Sequence, residues 1–120
     1  NSTNDVQQVT KSLAKGVDGI YIPTDNTFAS AASVIGEVAK ETKTPIVAGS
    51  VDQVKEGGLA TVGIDYEELG RQTGEMAAKI LAGKKPSELP VESADDLSLY
   101  VNKDMAKALG IDPTTIKETE

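Results

Sequence analysis

Short apolar runs alternate with longer segments of helical periodicity along the chain, and this alternation limits the possible folds more than any other feature. The apolar runs at residues 19–22, 46–48 and 60–64 are separated by segments with the capping residues and apolar stripes of helices. Such alternation is typical of a mostly parallel sheet, because a right-handed crossover helix links each parallel strand to the next. The sequence therefore predicts an α/β fold, a mostly parallel sheet with helices on both faces.

The predicted elements begin and end with a helix. The helices run from a Ser2 or Thr3 cap to about residue 15, over 27–41, 51–55 and 66–82, and from the Asn102 cap to Gly110. Residues 19–22 are nearly all apolar, which suits a strand covered on both faces, whereas residues 97–101 alternate as a half-exposed or edge strand does. Because no strand precedes the first helix, we expect residues 1–120 to be a single lobe cut from a larger protein.

Composition excludes several functions. The 120 residues include no His and no Cys, so catalysis by Ser-His or Cys-His pairs and zinc sites built on His are excluded. A formal net charge of −7 argues against a nucleic-acid partner, which needs clustered Lys and Arg. No apolar run approaches the roughly 18 residues of a membrane span.

Polar residues follow three of the predicted strands. They are Thr24, Asp25 and Asn26 after the first strand, Gly49 and Ser50 after the second, and Asp65 after the third. Ligands of open α/β sheets lie beyond the carboxyl ends of the strands, so these residues are the candidate ligand site. The alternative is that Asn26, Ser50 and Asp65 only cap the helices that follow them, and one residue can do both.

The residue types at these strand ends indicate what they can bind. Two Asp and no Lys or Arg suit hydrogen-bond donors, such as an ammonium group or hydroxyls, while helix N-termini can accept a carboxylate. An amino acid carries both groups. Because Asp25, Asp65 and Glu67 form no tight acidic cluster, and the chain lacks a nucleotide-binding glycine motif, we expect no metal, no cofactor and no enzymatic activity.

Four segments resemble a known family. VDGIYIPTDNTFASA (residues 17–31), TPIVAGS (44–50), ATVGIDYEELGRQTGEMAAKIL (60–81) and LSLYVNKDMAKALGI (97–111) are similar to tryptophan/tyrosine-type ABC-transporter substrate-binding proteins. The resemblance implies a type I periplasmic-binding-protein fold, in which two α/β lobes close over a ligand in the cleft between them. On this basis the chain is most of the C-terminal lobe, and the N-terminal lobe is absent.

The resemblance also implies a function and partners. The ligand is an amino acid, tryptophan or tyrosine by family analogy, contacted by Thr24, Asp25, Asn26, Gly49, Ser50 and Asp65. The parent protein is extracytoplasmic, serves an ABC-transporter permease, and is held at the membrane by a lipid anchor that this chain lacks. A lobe whose cleft face is exposed is also expected to associate with another copy.

Three other functions are weighed against this one. A sugar or polyol receptor uses the same strand ends, but its ligand usually stacks on Trp or Phe, and the chain has only Phe28. A flavodoxin-like enzyme or phospho-acceptor domain would need a Lys at a strand end, which the sequence lacks. The core of a ligand-sensing transcription factor shares the fold, but no helix-turn-helix is present.

Overall fold

The computed structural model describes residues 3–95 and 97–118, in which one four-stranded sheet is flanked by helices. In chain order the elements are α1 (Thr3–Leu13), β1 (Ile20–Ile22), α2 (Asn26–Ser30), α3 (Ala32–Thr42), β2 (Ile46–Ala48), α4 (Val51–Glu56), β3 (Ala60–Ile64), α5 (Tyr66–Leu81), β4 (Leu97–Val101) and α6 (Lys103–Leu109). Short 3₁₀ turns lie at Pro86–Glu88 and Pro113–Thr115.

The strands lie in the order β1-β2-β3-β4. The first three are parallel, with Tyr21 opposite Val47 and Val47 opposite Ala60. The fourth is antiparallel to β3, with Ile64 opposite Leu97, and it forms one edge of the sheet. The predicted α/β class, the mostly parallel sheet and the edge position of the last strand are therefore confirmed.

The helix predicted over residues 27–41 is in fact two helices, and that prediction is wrong in this respect. The chain leaves helical geometry at Ala31, whose N–H donates to the Phe28 carbonyl at 3.1 Å, three residues back. Ser30 Oγ donates to the Thr27 carbonyl at 2.9 Å, a local bond that competes with the helical ladder. Ala31 is buried in the core, so packing holds the break in place.

The predicted ends of the other helices agree with the structure to within two residues. Ser50, Asp65 and Asn102 cap α4, α5 and α6, each through its side-chain oxygen. Gly83 follows α5 with a φ of 102° and Gly110 follows α6 with a φ of 74°, a conformation that favours glycine. The first helix stops at Leu13, two residues before its predicted end, and the predicted cap Ser2 lies outside the described residues.

The core lies on one face of the sheet. Its buried residues come from α1, α3, α6, the sheet and the residues directly before α3 and β3: Val6, Ile22, Ala31, Ile35, Ala39, Ile46, Leu59, Ala60, Met105 and Ala106. Gln53 of α4 packs on the same side, beside Ile22 and Ala48. These helices bury the side chains that point to one side of β1 and β2, and the alternation of the strands sends the intervening side chains to the opposite face.

That opposite face is open in the described part of the chain. Tyr21 is 65% exposed, Val47 44% and Val62 53%, although β1 was expected to be covered on both faces. Because Val62 lies opposite Leu99 of β4, the row of apolar side chains extends across all four strands. We call the row formed by Tyr21, Val47, Val62, Leu97 and Leu99 the open face.

The longest helix, α5, does not cover the open face. It has no buried residue, and the half-buried Leu69 and Met76 of its apolar stripe line a groove closed by residues 86–92. Gln72 of α5 links the helix to the far side of the groove, because its Nε2 donates hydrogen bonds to Glu92 Oε2 at 3.1 Å and to the Ser93 carbonyl at 2.9 Å. Helix α5 and residues 82–95 thus form a separate arm.

The arm elongates the molecule. Its radius of gyration is 17.5 Å, against about 14 Å for a compact domain of this length. None of the helices in residues 3–95 and 97–118 combines the length and apolar character needed to cross a membrane.

Helices α3 and α4 approach each other closely at a glycine, which gives a test of the packing. A Cβ on Gly57 would lie 2.0 Å from the carbonyl oxygen of Ala32, so Gly57→Ala must displace backbone. We expect this overpacking to lower the free energy of unfolding by about 2 kcal/mol, measured by urea denaturation.

Gly74→Ala is the matched control, since Gly74 lies within α5 and a Cβ added there would meet no atom within 4 Å. That substitution should raise the free energy of unfolding by about 0.5–1 kcal/mol through helix propensity. Equal effects of the two substitutions would contradict the close packing of α3 on α4.

Candidate functional site

The three polar strand ends lie side by side at one edge of the sheet. The Gly49 N–H donates to the Ile22 carbonyl at 2.9 Å, which joins the ends of β1 and β2. Ser50 forms a parallel bridge with Ile64, which joins the end of β2 to that of β3. The prediction that these residues share one edge is confirmed, and we call this edge, with residues 24–26, 49–50 and 65, the strand-end site.

Asp25, not Asn26, caps the helix that follows β1. Its Oδ1 accepts the N–H groups of Thr27 at 2.9 Å and Phe28 at 3.0 Å, and its φ of −146° is extended, as a cap requires. Asn26 is the first residue of α2, so its prediction as the cap is wrong by one position. Both residues and Thr24 are exposed to solvent.

Asp65 has the same arrangement at the start of α5. Its Oδ1 accepts from the N–H of Glu67 at 2.9 Å and of Glu68 at 3.4 Å, and the residue is half-buried. Within the described residues, the second carboxylate oxygen of Asp65, like that of Asp25, accepts no hydrogen bond from the protein. Each aspartate therefore caps a helix and keeps one oxygen available to a ligand.

Ser50 and Gly49 have structural reasons for their positions. The Ser50 side chain is buried, and its hydroxyl already has two hydrogen-bond partners. Its Oγ donates to Gln53 Oε1 at 3.1 Å and accepts from the Gln53 N–H at 3.4 Å. A Cβ on Gly49 would lie 2.6 Å from Thr24 Oγ1 and 2.8 Å from the Thr24 nitrogen, so only glycine fits between the strand ends. In this conformation the Ser50 hydroxyl is occupied and Gly49 has no side chain, so neither residue offers a free polar side-chain group to a ligand.

Gln53 belongs to the same edge and was not among the predicted residues. It is only 5% exposed, and its Nε2 donates to the Pro23 carbonyl at 3.3 Å. Its position three residues after Ser50 matches a capping box, and that spacing was the one available signal in the sequence. The bond to Pro23, thirty residues away, has no counterpart in the sequence pattern.

Negative charge dominates the strand-end site and its neighbourhood. Asp65 also lines a depression of about 200 Å³ whose other charged residues are Glu68, Arg71 and Asp95. Arg71 is paired with Glu68 and Glu75 at 2.7 Å each. The two carboxylates offset the charge of Arg71, and the hydrogen bond and charge of Glu68, and then the charge of Glu75, raise its pKa.

The geometry therefore suits a donor-rich or cationic group of a ligand. Two carboxylate oxygens accept no hydrogen bond from the described residues, and the residues 24–26, 49–50 and 65 include no basic side chain. Within the part of the chain that the structure describes, no three His, Cys, Asp or Glu side chains converge as a metal site requires.

Comparison with known proteins agrees with the predicted resemblance. Residues 1–118 match the family described as ABC transporter substrate binding protein. A tyrosine-binding protein of Clostridioides difficile is 39% identical over 109 residues, which cover 91% of this chain and 32% of that protein.

Solved structures give the same result. An ABC domain from Streptococcus pneumonia in complex with L-Trp is 36% identical with a TM-score of 0.79, over 93% of this chain and 38% of that chain. A ligand-free, open substrate-binding protein with adhesive properties from Clostridium difficile is 44% identical with a TM-score of 0.72, over 93% and 38%.

The chain thus spans about a third of the curated relative and under two fifths of the solved chains. The matched family and the open Clostridium difficile structure are substrate-binding proteins. With the family matched over nearly its whole length, and with an α/β fold shared with solved members, the chain belongs to the ABC transporter substrate-binding protein family.

Proposed function

We propose that this chain is a ligand-binding lobe for an aromatic amino acid, tryptophan or tyrosine, in a protein that serves an ABC importer. The observation that carries the proposal is the pair of cap aspartates, Asp25 and Asp65, each with one unused oxygen at the same sheet edge. The names of two relatives support the choice of ligand, since one is a tyrosine-binding protein and the other was solved with L-Trp.

The lobe recognises the ligand's ammonium group in this proposal. A charge-assisted bond to a carboxylate is stronger than a bond between neutral groups, and the site has no cation that would compete. The same lack of a cation means that the ligand's own carboxylate is recognised elsewhere. Phe28 is half-buried against the core, so it does not offer its ring for stacking. We therefore assign the aromatic ring and the carboxylate of the ligand to a second lobe.

This division of roles determines the proposed partners and location. A second lobe closes over the strand-end site and buries the ligand, since pockets bury most of a small ligand's surface. The complete protein lies outside the cytoplasm, is held there by a lipid anchor, and delivers its ligand to an ABC-transporter permease. Family membership supports the permease partner and the location outside the cytoplasm.

The alternative within binding proteins is a sugar or polyol. Carboxylate oxygens accept from hydroxyls as well as from an ammonium group, so Asp25 and Asp65 suit either ligand. The amino-acid proposal is preferred because sugar rings usually stack on Trp or Phe, and the chain has no Trp and only Phe28, which is half-buried against the core.

Calorimetric titration of the complete two-lobe protein and of the 120-residue chain tests the proposed ligand. We expect L-tryptophan or L-tyrosine to bind the complete protein with micromolar or tighter affinity. The chain alone should bind more weakly than micromolar, because one lobe offers only part of the contacts. Tight binding of a sugar instead would favour the alternative, and micromolar affinity in the chain alone would contradict the division between lobes.

Asp65→Asn separates the capping role of Asp65 from its proposed role in binding. Asn and Asp are comparable caps, so the melting temperature of the complete protein should barely move. Loss of the charge removes a charge-assisted bond of roughly 1.5–3 kcal/mol, so the dissociation constant for the amino acid should rise about tenfold or more.

Asp65→Ala is the control for this experiment, and it should lower both stability and affinity. If Asp65→Asn binds as tightly as the native protein while Asp65→Ala is merely less stable, Asp65 is only a helix cap.

We also propose that the isolated chain associates with a second copy through the open face. Its surface of 8022 Å² exceeds the value of about 6,200 Å² for a compact monomer of this mass. The five apolar side chains of the open face, Tyr21, Val47, Val62, Leu97 and Leu99, are the natural centre of such a contact.

Sedimentation velocity over a range of concentrations tests this association. We expect a dimer that dissociates on dilution and is stabilised by salt, because salt screens the repulsion between two chains of net charge −7. Val62→Lys, which places a charge at the centre of the open face, should give a monomer. A strict monomer of the native chain at high concentration would contradict the proposal.

A further inference from the structure

The buried side chain of Gln53 contacts two segments of the strand-end site, the one after β1 and the one after β2. Its Nε2 donates to the carbonyl of Pro23, the residue before Thr24, at 3.3 Å. Its Oε1 accepts from Ser50 Oγ at 3.1 Å, and its backbone N–H donates to the same hydroxyl at 3.4 Å. One buried amide therefore joins the segment after β1 to the segment after β2.

This arrangement goes beyond helix capping. In a capping box the N3 side chain accepts the N–H of the cap residue, and both partners belong to one helix end. Here the amide nitrogen of Gln53 reaches a different strand end. The last β1–β2 ladder bond runs from the Gly49 N–H to the Ile22 carbonyl, so the bond to Pro23 is the next link toward Thr24.

Little free space is left beside the Gln53 side chain. The void beside Gln53, lined by Ile22, Phe28 and Ala48 among others, measures about 10 Å³, at the lower limit for one water molecule. Because Pro23 has no N–H of its own, the chain there has one backbone group fewer with which to hold its position. The Gln53 side chain is thus one of the contacts that hold this segment, beside the two bonds of the Asp25 cap.

We propose that Gln53 is a positioning residue for ligand binding: it holds residues 24–26 and 49–50 in the relative arrangement that the ligand meets. The proposal rests on the proposed function, because it assumes that the strand-end site is where the ligand lies. Gln53 itself does not touch the ligand, since it is 5% exposed and its amide groups are occupied.

Two substitutions at this position isolate its amide groups. Gln53→Met keeps a side chain of similar volume and removes both groups. Gln53→Glu keeps the acceptor for Ser50 and, while ionised, lacks the donor to Pro23. Protonation of the introduced carboxyl restores an O–H donor, and burial raises the pKa of such a group, so its effect should reverse on mild acidification.

Val54→Ala is the matched control on the same helix. Val54 is fully buried, and its backbone carbonyl accepts from Asn102 Nδ2, a bond that Val54→Ala keeps, so the substitution removes packing without touching the strand-end site. It should lower the melting temperature and leave both the local order of residues 24–26 and the ligand affinity unchanged.

The first measurement needs no ligand. In the 120-residue chain, ¹⁵N order parameters of residues 24–26 should fall from about 0.85 to below about 0.6 in Gln53→Met. In Gln53→Glu they should fall at pH 8 and recover toward the native values at pH 5. Asp25 and Asp65 are the titratable groups of the site, and the native chain carries both, so it is measured at each pH for comparison.

The second measurement is the affinity of the complete two-lobe protein for L-tryptophan. The dissociation constant should rise about tenfold in Gln53→Met, and in Gln53→Glu the rise should be larger at pH 8 than at pH 5 relative to the native protein. If Gln53→Met only lowers the melting temperature, as Val54→Ala does, Gln53 is no more than part of a helix cap and the proposal is overturned.

The two proposals fail in different ways. A native protein that binds no amino acid would refute the proposed function, while the order parameters would still decide whether Gln53 positions the loops. Disordered loops with unchanged affinity would refute the role of Gln53 in binding and leave the proposed function intact.

Discussion

Parallel pairing of β1, β2 and β3 is the constraint on which the site depends. Because these three strands run in the same direction, their carboxyl ends meet at one edge, and the polar residues that follow them lie there. The bond from the Gly49 N–H to the Ile22 carbonyl and the bridge between Ser50 and Ile64 complete this alignment. Residues that follow different strands in the sequence are thus brought close together in space.

The residues that cap the helices also provide the polar groups at this edge of the sheet. Each helix that leaves the edge needs an acceptor for its first N–H groups, and two of these acceptors are aspartates. A carboxylate has more acceptor sites than a cap uses, so Asp25 and Asp65 stabilise the fold and still present charge to solvent. Ser50 is different: its hydroxyl is fully used by Gln53, so it contributes to the arrangement of the site and not to its surface.

Much of this arrangement could be predicted from the sequence because it is local. The apolar runs identified the strands, and Ser50, Asp65 and Asn102 were identified as caps by their residue types and positions. Asn26 and Asp25 have nearly equal cap preferences, so only the backbone conformation decides that Asp25 is the cap.

The features that were missed depend on contacts between distant segments. The break at Ala31 is held by core packing, and Gln53 reaches Pro23 across thirty residues. The position of α5 could not be predicted, because an apolar stripe shows that a helix packs against something but does not show against which segment. Here that partner is the 86–92 segment, and the open face of the sheet is left exposed.

A crystal structure of the complete two-lobe protein with bound L-tryptophan tests the central claim most directly. The account predicts that the ligand lies at the strand-end site, with its ammonium nitrogen within about 3.2 Å of a carboxylate oxygen of Asp25 or Asp65. A ligand bound elsewhere, for example in the groove between α5 and residues 86–92 with both aspartates facing solvent, would contradict it.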